Sequence, residues 1–403
     1  MLEHAPDRLH SCGACELLDL GQLDVGVSAL LEYREDEPAL RIGGTWNHEA
    51  IMTPDPFVAA LAERTLALVS IPSVSHHEEA MYEYVRAHVG LPLIHDDGET
   101  LLYAQSTGKP LILLAGHTDT VPPQDNLPGE LRDGVVHGLG ASDMKGGVAV
   151  MMEIGRWAES ASLDYDVGLL FFPREEVGPE HNPLPAVFEA APRIDEAALV
   201  ICLEPTNNTL QLGCLGNINA RVAFEGRAAH SARPWLGENA IAVALEGLRD
   251  VLGAEPNDVE VGGLLFREVV SVTQISDGGN ASNVIPARIE CTLNFRYAPT
   301  RTPAEAEARL RELVGRDVVI IQNSPSAHVA VDSPHVERLR ACGPFEIGPK
   351  QAWTNVADFA GRGLDALNLG PGRTQYAHTA DEQVAVEDLV ATFEALQRFL
   401  SAR

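Results

Sequence analysis

The chain has 403 residues, 45% of them hydrophobic and 22% charged, an ordinary globular composition with apolar material for two or three domain-sized cores. Its 58 acidic residues against 29 Lys and Arg give a formal net charge of -29, a field that repels phosphate backbones and anionic lipid surfaces. Predominant disorder is excluded, nucleic-acid and membrane-surface roles are disfavoured, and every apolar run is far shorter than the roughly 20 residues of a membrane helix.

Along the chain, residues 1–51 have poor periodicity, and Glu3, Asp7, Glu16, Asp19 and Asp24 interrupt any secretory signal, so a cytoplasmic protein is expected. This stretch is read as an unstructured extension or as sequence before the true start at Met52. Cys12 and Cys15 would make only half of a zinc knuckle. The six cysteines do not form a disulfide framework, and three sit inside apolar strand-like segments where reduced, buried thiols are expected. A helix is predicted from Pro56, with Asp55 as its N-cap and Phe57, Val58, Leu61, Thr65, Leu68 and Val69 marking its face. Short apolar runs then end in polar residues. Residues 111–114 precede His117 and Asp119, 167–172 precede Glu175 and Glu176, and 199–203 precede Glu204. A helical pattern over 147–157 separates them. The predicted fold is α/β, with buried and mostly parallel strands whose carboxyl ends carry the candidate residues.

Between residues 215 and 322 the pattern becomes strand 219–224, helix 239–252, strands 264–275 and 288–297, helix 303–314 and strand 317–321, a βαββαβ or ferredoxin-like unit. In 288–297, Ile289, Cys291, Leu293 and Phe295 alternate with Arg288, Glu290, Thr292, Asn294 and Arg296, which implies one helix-covered face and one polar face. The α/β pattern resumes at 366–369, followed by the loop Gly370-Pro371-Gly372. The smaller unit is therefore expected to be an insertion, with domains at 52–213, 214–325 and 326–403.

His117, Asp143, Glu176, Glu204 and His378 offer two imidazoles and three carboxylates without a thiolate, a set suited to an open hydrolytic metal site. Five ligands exceed the needs of one catalytic zinc but suit two ions if Asp143, in a tight segment leading into a helix, bridges them. Asp119, two residues beyond His117, can fix the imidazole tautomer. Side chains diverge at adjacent positions of a strand end, so Glu176 is assigned to metal and Glu175 to general base. Taken singly, each of these residues reads more readily as a solvated charge or a surface histidine than as a metal ligand.

The motifs Gly116-His117-Thr118-Asp119, Ser142-Asp143-Met144-Lys145-Gly146-Gly147, Glu175-Glu176, Glu204-Pro205-Thr206 and Ala377-His378-Thr379-Ala380-Asp381-Glu382 resemble the ordered signatures of the co-catalytic zinc aminoacylase/carboxypeptidase amidohydrolases. The resemblance runs from about Met52 to the end. It implies a zinc-peptidase-like catalytic domain interrupted by a dimerisation lid, and two Zn2+ per subunit, with Co2+ or Mn2+ as substitutes. His117 and Glu204 would hold one ion, Glu176 and His378 the other, with Asp143 between them. His230, in Ala229-His230-Ser231-Ala232-Arg233-Pro234, resembles a lid histidine that completes the partner's site in a homodimer. Asn283 and Arg296 resemble its substrate-binding pair, and Arg233, Thr354 and Gly372 are further candidate substrate contacts. Within the family, the segments around Leu212–Gly216, His230 and Thr354 resemble members that remove succinyl from N-succinyl-LL-2,6-diaminopimelate. Deacetylation of acetylornithine or another N-acyl amino acid is the alternative, and a non-catalytic carboxylate-binding protein on the same scaffold is the alternative of another class.

Overall fold

Three strands with almost unbroken burial, Leu111–His117, Asp166–Phe172 and Ala197–Cys202, run parallel at the centre of the computed structural model, which describes residues 56–277 and 281–402. The extension at 1–51, its cysteine pair and the Asp55 cap lie outside the described residues. The strands are apolar at successive positions because both faces are packed. Ile112, Leu114, Leu169, Phe171, Leu199 and Ile201 belong to the core that also holds residues of helices Pro56–Val69, Gly146–Ala158 and Val386–Leu400. Leu113, Ala115, Leu170, Phe172, Val200 and Cys202 belong to a second core with residues of helices Leu184–Ala190 and Val356–Gly361.

Around these strands the sheet extends to eight, in the order Leu93–Asp96, Leu101–Ala104, Asp166–Phe172, Leu111–His117, Ala197–Cys202, Ala366–Asn368, Leu210–Cys214 and Ile347–Lys350. Four of its seven pairings are parallel and three antiparallel. The first two strands are absent from the sequence reading. Each is only four residues long, and its pairing partner decides its conformation more than its own pattern does.

The second, antiparallel sheet has five strands in the order Asn257–Val261, Leu264–Ser276, Arg288–Tyr297, Gly216–Glu225 and Val319–Ser324. Its last four strands carry the expected βαββαβ unit. Ile289, Cys291, Leu293, Phe295 and Tyr297 are buried in a core shared with Ala244 and Leu310 of helices Ala240–Gly247 and Pro303–Val314. Two local features differ from expectation. The helix expected over 239–252 is broken at Leu248 into Ala240–Gly247 and Arg249–Leu252. Strand Asn257–Val261 is added by a hairpin whose two loop residues, Gly262 and Gly263, both have positive φ, the backbone a tight two-residue hairpin favours. Helix Pro303–Val314 matches its predicted bounds because both ends are specified: Thr302 and Glu305 form a capping box, and Gly315 closes the helix at φ 67°.

Free thiols Cys202, Cys214 and Cys291 are buried, in keeping with the cysteine pattern. No helix among the described residues is long and apolar enough to cross a membrane. Because Leu114 is fully buried in the central strand, Leu114→Ala should lower unfolding free energy by roughly 2–5 kcal/mol, whereas Val319→Thr, on an exposed edge position, should change it by less than about 0.5 kcal/mol. Denaturant melts compare the two; equal shifts would contradict the assigned core.

Candidate metal centre

His117 is the last residue of its strand, Glu175 and Glu176 follow Phe172 by three and four positions, and Glu204 follows Cys202 by two. Parallel neighbours therefore deliver these side chains to one end of the sheet. Asp143 arrives from the segment Ala141–Lys145, where Asp143 and Met144 leave helical backbone geometry just before helix Gly146–Ala158 begins. Close backbone approach holds that helix in place. A Cβ on Gly147 would lie 2.3 Å from the carbonyl oxygen of Leu203, so only glycine lets the helix start sit against the strand end that carries Glu204.

Donor atoms of His117, Asp143 and Glu176 all lie within 4.8 Å of one another. His117 Nε2 is 3.1 Å from Asp143 Oδ1, and His378 Nε2 is 2.9 Å from Glu176 Oε2 and 3.5 Å from Asp143 Oδ2. The His117 ring is buried, with Nδ1 3.1 Å from the Asp119 carbonyl and 3.4 Å from its carboxylate. Asp119 anchors more than this imidazole. Its carboxylate accepts from Ser75 Oγ at 2.7 Å and from the backbone N–H groups of Glu175 and Glu176 at 3.0 and 3.1 Å. One buried carboxylate thus ties the His117 strand to the Glu175–Glu176 turn.

Charge in this cluster is unbalanced. Burial pushes the Glu204 carboxyl up to about 7, assisted by repulsion from Asp143, and burial together with the Glu204 charge raises Glu175 well above the usual carboxylate range. Hydrogen bonds that its ring donates to Asp143 and Glu176 push His378 up to about 10. Asp143 is itself held low, despite its burial, by hydrogen bonds from His117 and His378. Carboxylates so buried and so close require positive charge among them. Nitrogen and oxygen donors at this separation fit a divalent cation, so the residues present suit a metal.

The other candidates lie elsewhere. His230 and Asn283 meet in a short antiparallel ribbon of Ala229–His230 with Val284–Ile285, where Ser231 N–H donates to the Asn283 carbonyl at 2.9 Å. His230, Arg233 and Asn283 are exposed. Arg296 is half-buried on the five-stranded sheet and donates to Asn294 Oδ1 at 3.0 Å. Thr354 is buried and donates to Asn368 Oδ1 at 3.1 Å. Gly372 brings its loop against Ser142, whose carbonyl oxygen would lie 2.3 Å from an added Cβ. Among the described residues none of these six bonds directly to the carboxylate–imidazole cluster.

Glu382 is a site residue the sequence reading quoted within a motif without assigning it a role. Its carboxylate accepts from the N–H groups of Gly140, Ser142 and Asp143 at 2.8, 3.1 and 2.9 Å, which sets the backbone on which Asp143 rides. Burial pushes this carboxyl up to about 7 even so. Glu382→Ala would strand three backbone donors, and it should lower stability by roughly 2–4 kcal/mol, more than Glu382→Gln, which keeps one acceptor. Thermal melts rank the pair; equal melting temperatures for wild type and both variants would contradict the clamp.

The sequence matches peptidase family M20/M25/M40 over residues 113–402. It is 34% identical over 346 residues to a Mycobacterium tuberculosis protein named for succinyl-diaminopimelate desuccinylase activity, covering 84% of this chain and 97% of that one. It is 33% identical over 351 residues to the succinyl-diaminopimelate desuccinylase of Corynebacterium glutamicum, covering 84% and 95%. An M20 family metallo-carboxypeptidase from Sulfolobus solfataricus shares the fold, with a TM-score of 0.65 at 16% identity over 86% of this chain and 98% of that one. The chain belongs to peptidase family M20/M25/M40 and is a metal-dependent amidohydrolase.

Proposed function

We propose that this protein hydrolyses the amide of N-succinyl-LL-2,6-diaminopimelate to succinate and LL-2,6-diaminopimelate. The observation that carries the reading is near full-length similarity to desuccinylases, 84% of this chain and 95–97% of theirs, in a chain that retains Glu175 beside the His117–Asp143–Glu176–His378 cluster. His117 and Glu204 would hold one divalent ion, Glu176 and His378 a second, and Asp143 would lie between them. Two such ions, zinc by donor type, would supply polarisation of the amide carbonyl and acidification of water.

This chain's own groups account for the remaining steps. Glu175 takes a proton from the attacking water and returns it to the leaving amine nitrogen. Asp119 keeps the His117 ring and the Glu175 backbone in register. Arg296 and Asn283 would grip a substrate carboxylate, with Thr354 and Gly372 lining the same cleft.

A homodimer is part of the proposal. Ile241, Leu245, Leu252 and Ile275 are large apolar side chains exposed on the smaller unit. Ile275 lies on strand Leu264–Ser276 and the other three on the helices beside it; residues 269–275 of that strand pair with Arg288–Tyr297 along one edge, and among the described residues no strand pairs with them along the other. A second copy could cover this apolar edge and bring His230 of the partner subunit to the oxyanion.

Purified protein should release succinate from N-succinyl-LL-2,6-diaminopimelate, lose that activity on chelation and regain it with zinc, cobalt or manganese. Glu175→Gln should keep its metal content while turnover drops roughly 100-fold or more. Full activity after demetallation would overturn the metal assignment, and loss of an ion in the variant would exchange the roles of Glu175 and Glu176.

His230→Ala should lose about 100- to 1,000-fold in rate. Equal mixing of His230→Ala with Glu175→Ala chains makes half of the dimers mixed, each with one intact site, so about a quarter of wild-type activity should return. If subunits demonstrably exchange and no activity returns, His230 does not act across the dimer.

A further inference from the structure

We propose that Gln124 and Asn126 are positioning residues that hold His378 in place and thereby set how tightly the ion between Glu176 and His378 binds. This rests on the ligand assignment made under the proposed function.

His378 has less local support than the other proposed ligands. His117, Glu176 and Glu204 stand at or just beyond the ends of buried parallel strands, and the Asp143 N–H is bonded to Glu382. His378 lies instead between strands Ala366–Asn368 and Gln383–Ala385, in a segment with neither helix nor strand, and half of its side chain is exposed. Its φ of 61° falls in the left-handed region, a conformation that a residue with a side chain keeps only where surrounding contacts impose it. The turn around it is closed by long backbone bonds, from Ala377 N–H to the Thr374 carbonyl and from Thr379 N–H to the Tyr376 carbonyl, both 3.3 Å. The Thr379 hydroxyl adds a bond of 2.8 Å to the same Tyr376 carbonyl, which again lies within the turn.

Two remote amides fasten this turn to the rest of the site. Gln124 Nε2 donates to the His378 carbonyl at 2.9 Å, and Asn126 Nδ2 donates to the Thr379 carbonyl at 3.2 Å. The loop that carries them is itself fixed. Asn126 is buried, its Oδ1 accepts from the Gln124 backbone N–H at 2.9 Å, and its carbonyl accepts from the Leu139 N–H at 3.0 Å. Leu139 lies two residues before the segment Ala141–Lys145 that carries Asp143. One loop therefore bonds to the approach to Asp143 and to the turn of His378, whose Nε2 lies 3.5 Å from Asp143 Oδ2 and 2.9 Å from Glu176 Oε2. Both amides act on the backbone at the ligand rather than on its ring. Partners one step removed from a metal orient the donor that the ion needs, and their loss characteristically weakens metal binding.

The test is calorimetric titration of metal-free protein with zinc, alongside thermal melts of the metal-free chains. His378→Ala identifies the binding step that depends on this ligand by removing it. Gln124→Met, at an exposed position, should weaken that same step about 10- to 100-fold, leaving the other zinc step and the metal-free melting temperature unchanged. Asn126→Asp keeps the acceptor for the Gln124 N–H but replaces the donor to Thr379, so it should weaken the same step and provides a second reading at the buried end of the loop. If His378→Ala loses one zinc while Gln124→Met and Asn126→Asp bind both ions as wild type does, the clamp is overturned and the ligand assignment stands. Equal weakening of both steps, or a lowered metal-free melting temperature with both affinities intact, would make the two residues structural only and overturn the clamp as well. A wild type that binds a single zinc, or a His378→Ala chain that still binds two, overturns the ligand assignment and the clamp with it.

Discussion

Mutual repulsion among buried carboxylates is the constraint around which this protein is arranged. Asp143, Glu175, Glu176 and Glu204 converge near two imidazoles, and burial with like charge raises three of the four carboxyls. Such a cluster is unfavourable in a closed protein unless cations enter it. Hydrogen bonding with the imidazoles holds the Asp143 pKa low and raises that of His378 to about 10, which offsets part of the charge. Divalent ions would remove that repulsion, and in the proposed reaction Glu175 stands beside them to exchange a proton with water and the leaving amine.

Holding repelling groups together requires a stiff frame, and the frame is mostly backbone. Parallel strands bring His117, Glu175, Glu176 and Glu204 to one end, while Gly147 admits the helix start that follows Asp143. Two further carboxylates then act on main-chain donors. Asp119 fixes the turn at Glu175 and Glu176, and Glu382 fixes the loop from Gly140 to Asp143. Their work is to keep donor atoms within 4.8 Å of each other despite the charge.

The strands beneath the site were legible because packing on both faces leaves continuous apolar runs, each ending at a polar residue with a possible chemical role. Strand Arg288–Tyr297 and helix Pro303–Val314 were legible for other local reasons, strict alternation in one and paired end signals in the other. Strands Leu93–Asp96 and Leu101–Ala104 were not, because remote partners define them. The hairpin at Gly262-Gly263 carried a usable signal, two consecutive glycines after an alternating stretch, which the larger pattern concealed. Glu382 escaped for a deeper reason. Glu382 acts on backbone donors some 240 positions earlier, a contact with no local sequence signature.

A crystal structure of the zinc-loaded protein with anomalous data at the zinc edge tests the central claim most directly. The account predicts two ions about 3.5–4 Å apart, with Asp143 bridging, His117 and Glu204 on one, and Glu176 and His378 on the other. A single ion held without Asp143, or ions bound away from this cluster, would contradict it.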